Sequence, residues 1–202
     1  MNKKKEQRLA STRRLLDSAL RLFVSKGYRS TNLEQIAGAA KLSKGAVFFY
    51  FGSKEAVLLE LMKRVQAIVV DEAIRTAAAA GPGAADRIVA FLHHQAKLGL
   101  THRDEVLLLI LMSLEFGGRN AAVSRVIRGI YRELYAFVEK IIRAGRASGE
   151  LRKDLSPREL TSIIMANHDG TFLEWYRRSE SLKGPALVRA LREVVLTGVK
   201  GR

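Results

Sequence analysis

Between Thr31 and Lys54 the chain carries two short helical stretches joined by a tight turn. The second opens on residues with little or no side chain, Ser43, Lys44, Gly45 and Ala46. The chemistry open to such a helix is recognition. The major groove of B-DNA, about 12 Å wide, admits one α-helix, and small residues at its leading end let the backbone come close to base edges. Lys44, Gly45 and Ala46 are the candidates for facing bases. The run Phe48-Phe49-Tyr50-Phe51 has two possible duties, anchoring the helix to a small core or reaching sugar, phosphate and thymine methyl groups. Phe48 reads as the core anchor, while Phe49 and Tyr50 stay open between the two. Lys54, in the first turn of the following helix, can meet a phosphate beside that helix's positive end. Thr31 with Glu34 three residues on reads as a capping box that starts the first of the two helices.

The elements that must position these residues are all helical. Apolar residues recur at spacings of three and four almost throughout, and no stretch alternates over a strand length between turn signals, so the fold class is all-α. A first helix runs over about 7–26 and closes on Gly27 as a left-handed cap. Ser43 and Ser53 cap the third and fourth helices. The fourth is long, with Val57, Leu58, Leu61, Val65, Ile68 and Val69 on one side, and reaches the alanine tract at 77–80. Gly81-Pro82-Gly83 is the strongest breaker. Helices follow near 84–100 and 103–116, then a long one capped by Asn120 and running through Gly145. Ser156-Pro157-Arg158-Glu159 combines an N-cap, a proline at the first helical position and a capping-box glutamate. A last helix follows Gly184-Pro185, with Leu187, Leu191, Val194 and Val195 inward. The count is nine helices. Residues 1–53 read as a helix-turn-helix domain with a basic N-terminal arm, and residues 54–202 as a larger helical domain.

Charge points the same way. The 202 residues hold 35 Lys plus Arg against 20 Asp plus Glu, a net +15. Residues 1–54 hold 12 of the basic and 3 of the acidic side chains, so more than half the surplus lies in about a quarter of the chain. That is the electrostatic footprint of a polyanion partner; a solvated basic tail or a membrane-surface patch gives the same composition. Lys3-Lys4-Lys5 with Arg8 fits an arm in a flanking minor groove, or a solubilising tail. No run of 18 apolar residues is present, and the start lacks the apolar region of a secretory signal. With no cysteine there is neither a disulfide nor a thiolate metal site. A cytoplasmic location without membrane contact is expected.

At these residues the resemblance becomes specific. Gly27-Tyr28-Arg29-Ser30-Thr31, then Ile36-Ala37, Ser43-Lys44-Gly45-Ala46-Val47-Phe48-Phe49-Tyr50-Phe51 and Ser53-Lys54-Glu55 resemble the signature of the TetR family over about residues 9–62. The resemblance implies an N-terminal three-helix helix-turn-helix domain joined by a long helix to a C-terminal helical bundle. Within it Thr31 would cap the second helix and touch phosphate. Lys44, Gly45 and Ala46 would face bases, Phe49 and Tyr50 the backbone or base edges, and Lys54 a phosphate. Phe48 and Phe49 stand where tyrosine is common, and Ala46 where threonine is common, so three hydroxyls are missing.

The family also implies a transcriptional regulator, most often a repressor, that dimerises through its last two helices on a palindromic operator of double-stranded DNA. Half-sites would lie about 34–36 Å apart or a multiple of that. A small-molecule effector in the bundle would lower DNA affinity by shifting a two-state equilibrium. Candidate lining residues are His94, Leu108, Met112, Phe116, Tyr131, Tyr135, Asn167, His168, Phe172 and Trp175. The alternative is a similar DNA-binding protein with no small-molecule effector, controlled by a protein partner. His93 and His94 are adjacent and point about 100° apart on a helix, so no i, i+4 metal pair forms, and no metal or other cofactor is expected. No G-x-S-x-G, phosphate-cradling glycine loop or cysteine nucleophile is present, so no enzyme activity is expected.

Overall fold

A computed structural model describes residues 3–118, 122–178 and 180–201. Its elements are α1 (Lys3–Lys26), α2 (Leu33–Ala39), α3 (Lys44–Phe51), α4 (Lys54–Val65), a π-helical turn (Gln66–Asp71), α5 (Glu72–Ala78), α6 (Ala84–Thr101), α7 (Arg103–Glu115), α8 (Ala122–Ser148), α9 (Pro157–Arg177) and α10 (Gly184–Val199). The expected long fourth helix is thus α4, the π turn and α5 run together, which restores the count of nine among the described residues. Outside the helices, among the described residues, one antiparallel bridge joins Leu151 to Lys200.

Local chemistry sets most boundaries. Gly27 closes α1 at φ 84°, and its amide donates to the Phe23 carbonyl. The hydroxyls of Ser43, Ser53 and Ser156 accept from the amides of Ala46, Ala56 and Glu159. The Glu159 carboxylate reaches back to the Ser156 amide and is held below its usual pKa by that bond. The basic start is the first difference from expectation, because α1 begins at Lys3 and the arm is itself helical. The expected cap at Asn120 lies outside the described residues.

The chain divides into two compact units, Met1–Ala67 with His102–Gly129, and Ile68–Thr101 with Ile130–Arg202. The expected border after residue 53 therefore differs from the division in packing, because α4 and α7 both pack with α1. The first unit has its core in Leu15, Ala19 and Phe23 of α1, Ile36 of α2, Val47 of α3, Leu58 and Met62 of α4, and Leu108 and Met112 of α7. Arg64 ties three of these helices. Its guanidinium meets Asp17 of α1 at 2.6 Å and Glu105 of α7 at 2.6 Å. Glu105 is buried, so its charge depends on that partner.

In the second unit α8 turns Ile130, Leu134, Val138 and Ile141 inward, as their spacing predicts. Gly145 permits a close approach: a Cβ there would fall 2.5 Å from that of Ala84 and 2.6 Å from Leu151 Cγ. The start of α6 is capped from far along the chain, Glu150 accepting from the amides of Ala84 and Ala85 at 2.7 and 2.8 Å. In α10, Leu191, Val195 and Val199 are buried, but Val194, expected inward, is 65% exposed.

Candidate nucleic-acid interface

α3 is fastened by a single inward residue. Val47 is fully buried, and Gly45, Phe48 and Phe49 are exposed, Phe49 to 75%. Phe48 is therefore not the core anchor. An eight-residue helix that packs on one side offers the interior one central position, and Val47 occupies it. Ala46 and Tyr50 are partly exposed, and the Phe49 and Tyr50 rings meet edge to face at 5.2 Å. A Cβ added to Gly45 would meet only Ser43 Oγ at 3.8 Å, an ordinary contact. Nothing inside the protein requires glycine there.

Three other expected contacts are placed differently. Thr31 is buried, and its hydroxyl donates to the carbonyls of Gly27 at 2.9 Å and Leu22 at 3.3 Å. The cap of α2 is Asn32, whose side chain accepts from the Gln35 amide while Gln35 Oε1 accepts from the Asn32 amide, both at 2.9 Å. The capping box thus sits one residue later than expected, and Thr31 ties α1 to the loop after it. Lys54 also turns inward. Its ammonium donates to the carbonyls of Tyr28 and Thr31, each at 2.8 Å, and lies 4.3 Å from the centre of the Tyr28 ring. Desolvation lowers its pKa. Its amine pins the α1–α2 loop rather than facing a phosphate. Lys44 donates to Glu34, a hydrogen bond that holds the glutamate below its usual pKa.

The basic start of α1 stands beside the exposed end of α3. Lys4, Lys5, Gln7, Arg8, Ser11 and Arg14 share an open groove with Phe49 and Tyr50. Cations on one wall and aromatic rings on the other suit a strand of phosphates and sugars. Sequence reasoning missed Arg14, which follows Gln7 and Ser11 of the same groove at helical spacings of four and three.

The second unit holds a cavity of about 400 Å³ between α6, α9 and α10. Of the residues expected to line a pocket, His168, Phe172 and Trp175 do so. His94 points instead to the Ile68 carbonyl, 3.4 Å away. Met112, Phe116 and Leu108 belong to the first unit, where Phe116 packs edge-on against Tyr28. Asn167 donates to the Ile163 carbonyl. Tyr131 and Tyr135 of α8 are not part of this wall, and burial together with Asp169 raises the Tyr135 pKa. The residues missed were Gln95 and Lys97 of α6 and Arg189 and Arg192 of α10. Gly99 lies under Phe172, where a Cβ would be 3.3 Å from the ring. No cluster of three or more His, Cys, Asp or Glu able to hold a metal occurs among the described residues, and no described helix is long and apolar enough to cross a membrane.

Comparison with known proteins agrees with this arrangement. Residues 15–61 match the model of the bacterial regulatory proteins of the tetR family, and residues 84–199 match that of the C-terminal region of BetI-type transcriptional repressors. This chain belongs to the TetR family. It is 44% identical to the MbdR regulator from Azoarcus sp. CIB, whose crystal structure superposes with a TM-score of 0.85 over 93% of this chain and 98% of that one. A transcriptional regulator from Saccharomonospora viridis, solved in complex with choline, shares the fold at TM-score 0.80 and 22% identity over 95% and 98% of the two chains. So does FadR from Bacillus subtilis in complex with stearoyl-CoA, at 0.75 and 20% over 92% and 97%. As a TetR-family member the chain is a DNA-binding transcriptional regulator and not an enzyme. Against the family signature its departures, Phe48, Phe49 and Ala46, all fall on the outward side of α3, whereas the buried position holds Val47.

Proposed function

We propose that this regulator is a repressor that binds a palindromic operator as a homodimer, with α3 in the major groove, and is released by a small molecule held in the second unit. The observation that carries the DNA half is the open face of α3. Its leading end is glycine and alanine, with no internal need for glycine at position 45, and the Phe48 and Phe49 rings lie outward. Gly45 and Ala46 would pass close to bases, Phe49 and Tyr50 would cover sugar and thymine methyl groups, and Lys4, Lys5, Arg8 and Arg14 would meet phosphates. Lys44 would exchange its exposed pairing with Glu34 for a base edge or phosphate, a swap that is inexpensive for a solvated ion pair.

The dimer half is supported by exposed small and apolar residues on α9 and α10. Ile163, Ala166 and Gly170 follow one face of α9, and Ala186, Ala190 and Val194 one face of α10. Small residues four apart let helices approach closely, so two copies would bury these faces as a four-helix interface.

Release rests on a residue shared by two features. Gln95 lines the cavity, and its Nε2 donates at 3.1 Å to the Val69 carbonyl in the π-helical turn. A π turn carries one residue more than an α turn and is frequent at functional sites. A ligand that moves Gln95 would alter the support of that turn, which lies where the first unit gives way to the second along the chain. The cavity volume suits a small molecule, since such sites span about 300–1,000 Å³, and the family relatives solved with choline and with stearoyl-CoA each bind one.

Selection of genomic fragments by the purified protein tests the proposal. A palindrome with half-sites about 34–36 Å apart, or a multiple, is expected. Enrichment of random sequence, or sedimentation as a monomer at micromolar concentration, would overturn it.

A further inference from the structure

The walls of the second unit's cavity differ sharply in chemistry from its rim. Leu92, Phe172, Trp175, Leu187 and Val188 supply apolar surface. Lys97, Arg189 and Arg192 border the same space, and neither aspartate nor glutamate does. Arg192 is shared with Glu193, whose carboxylate accepts from it at 2.7 Å. Lys97 and Arg189 are exposed and form no ion pair among the described residues. Two cations on two different helices, α6 and α10, thus converge on one apolar slot without an acidic partner. A protein surface ordinarily intersperses charges of both signs, and a pocket bordered by one sign concentrates ligands of the other.

We propose that the cavity binds an amphipathic anion, an aliphatic or aromatic body ending in a carboxylate or its anionic thioester conjugate, with Lys97 and Arg189 meeting the negative group. The apolar body lies against Phe172 and Trp175, and the charged end stays at the rim, where it keeps part of its hydration. A quaternary ammonium of equal length is disfavoured, because it would bring a third positive charge to the rim. Trp175 offers a face for a cation–π contact, but Lys97 and Arg189 oppose any cation placed there. This inference rests on the reading of the cavity as an effector site and is independent of how α3 meets DNA.

The chain has one tryptophan, Trp175, so its fluorescence reports on this cavity alone. The full-length protein is titrated with octanoate, octanol, octyltrimethylammonium and octanoyl-coenzyme A. Octanoate should change the emission saturably, at least tenfold more tightly than octanol or octyltrimethylammonium. Its affinity should fall as salt rises from 0.05 to 0.5 M, while that of octanol should not. Lys97→Glu with Arg189→Glu should reverse the order of anion and cation. Octanoyl-coenzyme A binding more tightly than octanoate would assign the ligand to a thioester, and the opposite ranking to a free acid; either sustains the anion. Binding of octyltrimethylammonium as tight as that of octanoate, or an octanoate affinity indifferent to salt, would falsify the assignment. Operator binding measured on the same preparation keeps the two readings apart. A protein that binds DNA but ignores both octanoate and octanoyl-coenzyme A loses this inference and keeps the first half of the proposed function.

Discussion

The outward face of α3 and the cavity between α6, α9 and α10 are built on opposite plans. The face is made by eight consecutive residues, capped at one end by Ser43 and terminated at the other by Gly52. The cavity takes its walls from three helices, its lining residues lying between positions 92 and 192 of the chain. The face needs only a helix and one anchoring valine. The cavity needs the registers of three helices to agree, with glycines at 99 and 184 set against Phe172 and Trp175. A recognition surface of the first kind can be altered residue by residue with little effect on stability. In the second kind, the residues that would meet a ligand also support the packing.

The largest expected effect tests whether the face depends on distant supports. Arg64→Ala removes the partner of buried Glu105 and one ion pair of Asp17, and should cost about 3 kcal/mol of stability in urea unfolding. An effect below about 1 kcal/mol would mean that Glu105 finds water or another donor. Next, Lys54→Met strips two 2.8 Å hydrogen bonds from the α1–α2 loop and should cost about 2 kcal/mol, less than the sum of two buried charged hydrogen bonds at about 1.5–3 kcal/mol each, because the ammonium is only part-buried. The salt dependence of DNA binding should not change. If the slope instead drops by about one with stability intact, Lys54 faces a phosphate after all.

The contrast sharpens at Gly45. Gly45→Leu should leave the unfolding midpoint nearly unchanged or raise it, because glycine is the poorer helix former by up to about 1 kcal/mol. Operator affinity should fall at least tenfold, about 1.4 kcal/mol, as the side chain holds α3 off the bases. Wild-type affinity in an electrophoretic or anisotropy assay would remove Gly45 from the interface. The smallest effect belongs to Phe49→Ala. With the ring 75% exposed, stability should move by no more than about 0.5 kcal/mol while DNA binding weakens measurably. A large loss of stability would show that the ring packs inward.

Much of the site was legible because its determinants are local. A serine before a helical run caps it wherever the fold places it, and Ser43, Ser53 and the Ser156–Glu159 box sit where sequence puts them. The box at α2 slipped by one residue because two pairs compete, Thr31 with Glu34 and Asn32 with Gln35. The choice fell to Asn32 when the buried Thr31 hydroxyl was claimed by the Gly27 and Leu22 carbonyls. Phe48 was misjudged for a related reason. In a run of four aromatics, composition does not say which residue faces inward, and the inward position went to neighbouring Val47. Of the ten residues singled out for a ligand, three meet at the cavity, because apolar periodicity marks a buried stripe without saying which stripe stops short of its neighbour.

By itself the sequence determined that the chain is helical, where most helices start and stop, that its basic surplus gathers at one end, and that residues 43–50 can serve as a groove reader. These follow from spacing, caps and charge, which act over a few residues and survive any packing. Only the tertiary structure decided that Lys54 holds a loop, that Glu150 caps a helix starting 66 residues earlier, and that Lys97 and Arg189 border one apolar slot. Each of those joins groups far apart along the chain, and only the packing of side chains brings such groups within reach of one another.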